Sequence, residues 1–318
     1  MKKTFLSIAA LLLSLLAHSQ EADASGKYAE VTFVARAEYS SVQDDHLGNS
    51  SFYALLDGAF SENLSYSVST HLLSSDPKSL YQGTLYSDTT NWLDWAYMTY
   101  DFGKFSFQLG KDMMQWGTFE MQEYDFDSWY DLASVYWLNV PIYQWGGCAK
   151  WTPNDDFFLG LGMTASPFGE RPFASGLFQY SLSASSTACD WYNGLWSLNV
   201  FETGYDYLET VFNMGTKFIL GDKWELVWDS TTQFKKDMGY MGSNMVYANF
   251  VPNDSWSFML RGGYEKAEFI YEPIDRWFTG ALACWYPLDC LRVHAAAAYD
   301  SLVESPTFNL GLTWQITL

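Results

Sequence analysis

The sequence predicts an all-β fold, a transmembrane antiparallel β-barrel of about 16 strands, with 14 as the alternative count. Three observations predict it. Apolar and polar residues alternate with period two through one segment after another, and in each segment the charges stay on one face. Short turns rich in Gly, Asn, Asp and Pro alternate with longer polar connections. Phe, Tyr and Trp make up 19% of the 318 residues, while only 17% are charged. A soluble domain rarely combines so many rings with so few charges, so the composition asks for a surface that does not face water. Beyond the N-terminus the chain has no apolar run long enough for a membrane-spanning helix. A closed barrel is then the remaining way to satisfy every backbone group in lipid.

The N-terminus reads as an export signal. Lys2 and Lys3 precede an apolar run from Phe5 to Ala17, and Ala17-His18-Ser19 supplies the small residues of a cut before Gln20. The expected organisation is a signal peptide at 1–19 and a single barrel at 20–318. Removing the leader leaves 15 basic against 37 acidic residues. That balance gives no electrostatic footprint for nucleic acid.

The strands follow in order. Val31, Phe33, Ala35, Ala37 and Tyr39 alternate with Thr32, Arg36 and Glu38 in a first strand at 28–40. A second at 51–60 turns at Ser61-Glu62-Asn63 into a third at 64–73, where Ser65, Ser67, Ser69 and His71 share a face. Strands at 91–102 and 105–111 flank Gly103-Lys104. Those at 142–152 and 156–166 flank Pro153-Asn154-Asp155. Next come 176–185, 191–201, 209–220, 224–234, 243–251, 256–266, 276–286, 290–300 and 307–318. The segments at 142–152, 176–185 and 276–286 alternate poorly, which keeps the count of 14 open. The last strand is the clearest: Phe308, Leu310, Leu312, Trp314, Ile316 and Leu318 form one face over twelve residues. Phe105, Phe157, Trp224 and Trp256 directly follow tight turns, as an interfacial girdle of rings would require. Short turns at one end and long loops at the other is the layout of an outer-membrane barrel, with both termini at the periplasmic end.

Few residues suggest chemistry. His46, His71 and His294 are far apart and form no paired-ligand spacing. Ser69-Thr70-His71 invites a hydrolase reading, but a hydrogen-bonding role in the wall is the simpler one. No cofactor is expected. Cys284 and Cys290 flank a single turn, so a disulfide between them is one option. Cys148 reads as a small apolar wall residue.

The long connection at 112–141 is the most informative segment outside the strands. It carries Asp112, Glu120, Glu123, Asp125, Asp127 and Asp131, no basic residue, and eight aromatics. A loop this long is functional or disordered, and its aromatics argue against disorder. It either folds into the barrel mouth, where its carboxylates would face cations, or caps the rim. The acids leave room for a loop-bound divalent cation, although no Asp-x-Asp-x-Asp-Gly pattern is present.

Residues 92–120 carry a family resemblance. Trp92-Leu93-Asp94-Trp95-Ala96-Tyr97 runs through Gly103-Lys104 to Gly110-Lys111, then to Gly117 and Glu120. This resembles the early hairpin of the phosphate-selective porin O/P family, common in Bacteroidota and related bacteria. The resemblance implies a porin of sixteen strands with a constricting inward loop. The chain departs from that family in lacking rows of Arg and Lys along its strands, which argues against phosphate selectivity.

The expected function is therefore passive diffusion of small hydrophilic solutes and ions across a Gram-negative outer membrane, through a water-filled barrel narrowed by the loop. Arg36, Arg261 and Arg292 are expected to face the loop carboxylates across the pore. The expected surroundings are outer-membrane lipid and lipopolysaccharide, with a homotrimer as one assembly. Two other classes stay open: an accessory barrel subunit without channel activity, and an outer-membrane lipid-modifying enzyme.

Overall fold

The structure, a computed structural model, describes residues 27–42, 50–74, 93–122, 132–140, 142–169, 175–204, 208–234, 241–269 and 272–318. The expected leader at 1–19 lies outside them.

The described chain is a closed barrel of sixteen antiparallel strands in sequence order, with β1 paired to β16. The first half runs β1 (Tyr28–Ser40), β2 (Ser51–Ser61), β3 (Leu64–Ser74), β4 (Leu93–Phe102), β5 (Phe105–Met113), β6 (Tyr143–Asn154), β7 (Phe157–Ala165) and β8 (Phe178–Cys189). The second runs β9 (Tyr192–Glu202), β10 (Leu208–Leu220), β11 (Trp224–Phe234), β12 (Met241–Asn253), β13 (Trp256–Phe269), β14 (Glu272–Leu288), β15 (Leu291–Asp300) and β16 (Ser305–Thr317). The three weakly alternating segments become β6, β8 and β14, so the count is sixteen. They alternate poorly because both faces carry small or apolar residues, as in Gly146-Gly147-Cys148-Ala149 and Gly280-Ala281-Leu282-Ala283.

Register keeps the two faces apart around the wall. Leu260 pairs with Ala281, Ala281 with Ala297, and Ala297 with Phe308, which makes an apolar row across β13 to β16 on the outside. One residue along β13, Arg261 starts an inward row through Gly280, Ala298 and Thr307. The apolar rows thus face outside, with Leu260 at 63% and Leu161 at 61% exposure. Rings close both ends of this band. At the turn end Trp224 stacks on Phe250 (4.4 Å between centroids), Trp256 on Trp285 (6.1 Å) and Trp191 on Phe218 (6.2 Å). At the loop end Trp277 stacks on Tyr299 (5.0 Å). Trp256 and Tyr264 lie eight residues apart on β13, about 26 Å along the strand. At the usual strand tilt that is on the order of 20 Å of height, comparable to an apolar membrane band.

The seam between the first and last strands is pinned from inside. His294 on β15 reaches over β16 to Glu38 on β1, with Nε2 and Oε1 2.8 Å apart and both side chains buried. Gly311 on β16 lies beneath the pair, and a Cβ there would collide with both side chains.

One expectation is corrected here. Cys284 and Cys290 are both free thiols. Cys284 pairs with His294, whereas Cys290 lies in the β14–β15 turn beyond Leu291. Four residues of strand separate Cys290 from the partner of Cys284, about 13 Å, well beyond the ~7 Å limit for a disulfide.

Candidate pore and its inward loop

After Met113 the chain leaves the wall and enters the barrel. Met114, Trp116, Phe119, Met121, Leu132, Val135, Tyr136, Val140 and Ile142 are all buried. Their partners are inward-facing wall residues. Phe119 and Leu132 pack with Leu195, Val227, Met245, Phe278 and Leu282 from β9 to β14. Trp116, Val135 and Tyr136 pack with Phe201 and Val211. The lumen face of β9 to β14 carries these apolar side chains because it meets the loop rather than water. This differs from the uniformly polar lumen wall expected of a water-filled barrel.

Polar locks fix the loop in this position. The N–H of Gly117 donates to Ser197 Oγ (2.9 Å), and the lack of a Cβ lets the loop backbone lie against that of Trp196. Asp229 on β11 accepts the N–H of Phe119 on Oδ1 (2.9 Å), and the N–H of Glu120 on Oδ2 (2.7 Å). The hydroxyl of Tyr247 donates to the same Oδ2 (2.7 Å). Glu120 forms a buried ion pair with Arg261 on β13 and accepts the N–H of Ser134 (2.7 Å). The Arg261 guanidinium lies 4.6 Å from the centroid of Tyr247. Glu265 accepts the N–H of Val135 (3.0 Å) at the start of a short helix, α1 (Val135–Asn139), whose N-cap is Ser134. Arg276 joins Glu265 (2.9 Å), Asp300 (2.7 Å) and the carbonyl of Ala133 (2.9 Å). Tyr136 donates to Gln233 (3.2 Å). A buried polar network of this kind holds one arrangement because each group would be costly to leave unpaired.

The sequence-predicted site residues separate accordingly. Glu120 and Arg261 meet, but as a lock buried under the loop, so neither faces the passage. Asp112 lies on β5 and accepts a hydrogen bond from Gln108. Arg36 and Arg292 line the open lumen. Glu123, Asp125, Asp127 and Asp131 lie outside the described residues. Among the described residues no cluster of three His, Cys, Asp or Glu side chains could hold a metal ion. Sequence reasoning missed Arg276 and the loop-facing role of Asp229. The apolar Val211 and Val227, on the inward face of strands that carry Glu209, Lys217, Glu225 and Asp229 on that same face, were the available signal.

Among the described residues, one side of the lumen is left open beside the loop. A cavity of about 510 Å³ is bounded by the walls of β1 to β4 and of β14 to β16, with Tyr143 and the loop's Trp137 completing it. Arg36, Thr313 and Arg292 form one row, since Thr313 pairs with both arginines. Arg36 donates to the Tyr53 hydroxyl (2.9 Å), and Arg292 to the Thr313 hydroxyl (3.1 Å). On the other edge, register shifts at Phe52/Tyr53 and Ser69/Thr70 bring His71, Asp94 and Trp95 into the cavity together. Bulges commonly re-aim side chains in this way. Asp94 accepts from Ser69 (3.1 Å), while its other oxygen is 2.8 Å from His71 Nδ1. The carboxylate therefore lies between serine and histidine. A nucleophilic triad would need the histidine between the other two, an order this arrangement does not have.

Solved structures place this architecture. The chain is similar to OmpTΔL8, a loop-deletion mutant of an outer membrane protein of Vibrio cholerae, with TM-score 0.64 and 13% identity over 92% of this chain and 100% of that one. A trimer form of OmpT gives TM-score 0.60 at 11% identity, over 93% and 100% of the two chains. OmpF of Salmonella typhi, in complex with daunomycin, gives 0.63 at 11% identity over 93% and 99%. The outer membrane channel DcaP of Acinetobacter baumannii gives 0.60 at 8% identity over 94% and 100%. Neither a protein-family model nor a curated protein matches the sequence. At these identities the likeness is one of fold: the chain has the closed barrel architecture of outer-membrane porins.

Proposed function

We propose that the protein is an outer-membrane porin, through which small hydrophilic solutes and ions diffuse along the side of the lumen that the loop leaves open. One observation carries this reading: a charge-bearing cavity of about 510 Å³ lies beside a loop that is locked against the opposite wall. The apolar outer band supports placement in lipid, and the barrel architecture it shares with porins and channels supports the outer membrane. The mechanism is physical. Arg36 and Arg292 on one edge and Asp94 on the other offer solvent and solute replacement contacts for lost hydration. With Asp289 also in the lining, two cationic and two acidic side chains nearly balance, so ion preference is weak. The basic residues are too few for the row of cations that phosphate selectivity uses. A trimer is the assembly that fits the trimeric relative.

Refolded protein in a planar bilayer tests the reading. Stepwise potassium chloride conductance is expected, with a reversal potential near zero in a salt gradient. An R36Q/R292Q double variant is expected to shift that potential toward cations. A folded barrel that never conducts would instead favour an accessory subunit.

A further inference from the structure

We propose that the open passage contains a recognition site for a saccharide bearing a carboxylate. The inference rests on the porin reading and adds a solute class to it. A passage for indiscriminate diffusion needs only small polar walls, such as the Gly160, Gly162, Ser181 and Ser183 surface of β7 and β8. The open side is built differently. Its edge on β4 and β6 presents Trp95 and Tyr143 as a stacked pair, with centroids 5.8 Å apart and planes within 26°. Trp137 extends this aromatic surface from the loop. Trp95 is held in place by its indole N–H, which donates to Ser67 Oγ (2.8 Å). Aromatic faces in a wet channel leave apolar surface in contact with water, and a flat C–H face of a sugar ring covers such a surface while its hydroxyls remain solvated.

The edge on β1, β16 and β15 carries the complementary chemistry. Two strand spacings separate Arg36 from Arg292, about 10 Å. Guanidinium forks match carboxylates in geometry as well as charge. β6 and β15 lie seven strands apart in the sixteen-stranded closed order, so Tyr143 and Arg292 face each other across the passage, while Arg36 on β1 is linked towards Trp95 on β4 along one wall through Tyr53 and His71. Asp94 and His71, beside Trp95, add an acceptor and a polar ring that suit sugar hydroxyls. A ring with a carboxylate uses both edges at once. A neutral sugar uses only the aromatic edge, and an open-chain acid only the cationic one.

Three probes of similar size separate these contributions: glucuronate, glucose and gluconate. In proteoliposomes of the full chain, glucuronate is expected to enter about threefold to fivefold faster than either of the others, the range that one weak, water-screened charge pair supports. W95A and W137A should each abolish its advantage over gluconate and keep that over glucose. R36Q/R292Q should do the reverse. Potassium chloride conductance of every variant verifies that its pore is open, and W137A, on the loop, covers the event that W95A disturbs the wall. Equal entry of glucuronate and gluconate would overturn the saccharide assignment, and equal entry of glucuronate and glucose would overturn the carboxylate. Absence of chloride conductance in the wild type would overturn the porin reading itself, which distinguishes the two failures.

Discussion

Arg261 shows how a residue chosen for its charge can serve another purpose. From the strand pattern it is a lumenal cation among lumenal acids. In the barrel its guanidinium pairs with Glu120 and lies over Tyr247, fully enclosed. Removing one partner of such a pair leaves a buried charge and costs about 3–5 kcal/mol. R261M is therefore expected to lower the unfolding midpoint and to release the loop, giving larger and noisier single-channel currents. Adding E120L should recover much of the stability, because replacing both partners removes the stranded charge. The same logic applies at the seam. In G311A the new methyl would displace His294 or Glu38 from their contact. The folded band on an unheated gel should then be lost at a lower temperature than in the wild type, and an unchanged melting temperature would show that the bridge does not hold the seam.

At the scale of elements, the described residues of the loop between β5 and β6 form one short helix, α1, yet they are as well anchored as a strand. Its backbone hydrogen bonds end on side chains of the wall, above all Asp229 and Glu265. D229N keeps the size but exchanges one acceptor oxygen for an amide that cannot accept from a loop N–H or from Tyr247. A buried donor left unpaired costs about 1–3 kcal/mol. D229N should therefore lower the urea midpoint by a corresponding amount and raise open-state current noise, while leaving the strand content seen by circular dichroism unchanged. If current noise stays at the wild-type level, Asp229 does not restrain the loop.

At the scale of the whole molecule, the aromatic content and the sparse charge have one cause. The barrel is inside out relative to a soluble protein: its wall is apolar outside and partly polar within. A charge on the outer wall must then be expensive only where lipid is. Leu260→Arg, placed near the middle of the apolar band, is expected to cost about 2–4 kcal/mol in lipid vesicles. Gln315→Arg, on the inner wall opposite Val34, should leave the refolding midpoint close to wild type and change ion selectivity instead. Equal costs at the two positions would contradict the assignment of faces.

The strand pattern was legible in the sequence because period two survives any tertiary detail: Phe308 to Leu318 must share one face however the barrel is closed. The positions of turns and the ring-bearing strand ends were legible for the same local reason. The loop at 112–141 was legible as a functional element, through its length and aromatics, but its partners were not. Glu120 and Arg261 are 141 residues apart, and Asp229 is as far from the loop in sequence as a lumenal acid facing water would be. Nothing local separates an acid in a pore from an acid that caps a loop N–H. Nor could alternation reveal Asp94 and His71 as neighbours, because two bulges break the period just where they meet. The sequence by itself determined the barrel, its strands and its two faces, since these follow from periodicity. Only the tertiary structure decided which lumenal charges are used up in holding the loop and which remain in the passage, because that depends on where the loop lands across the lumen.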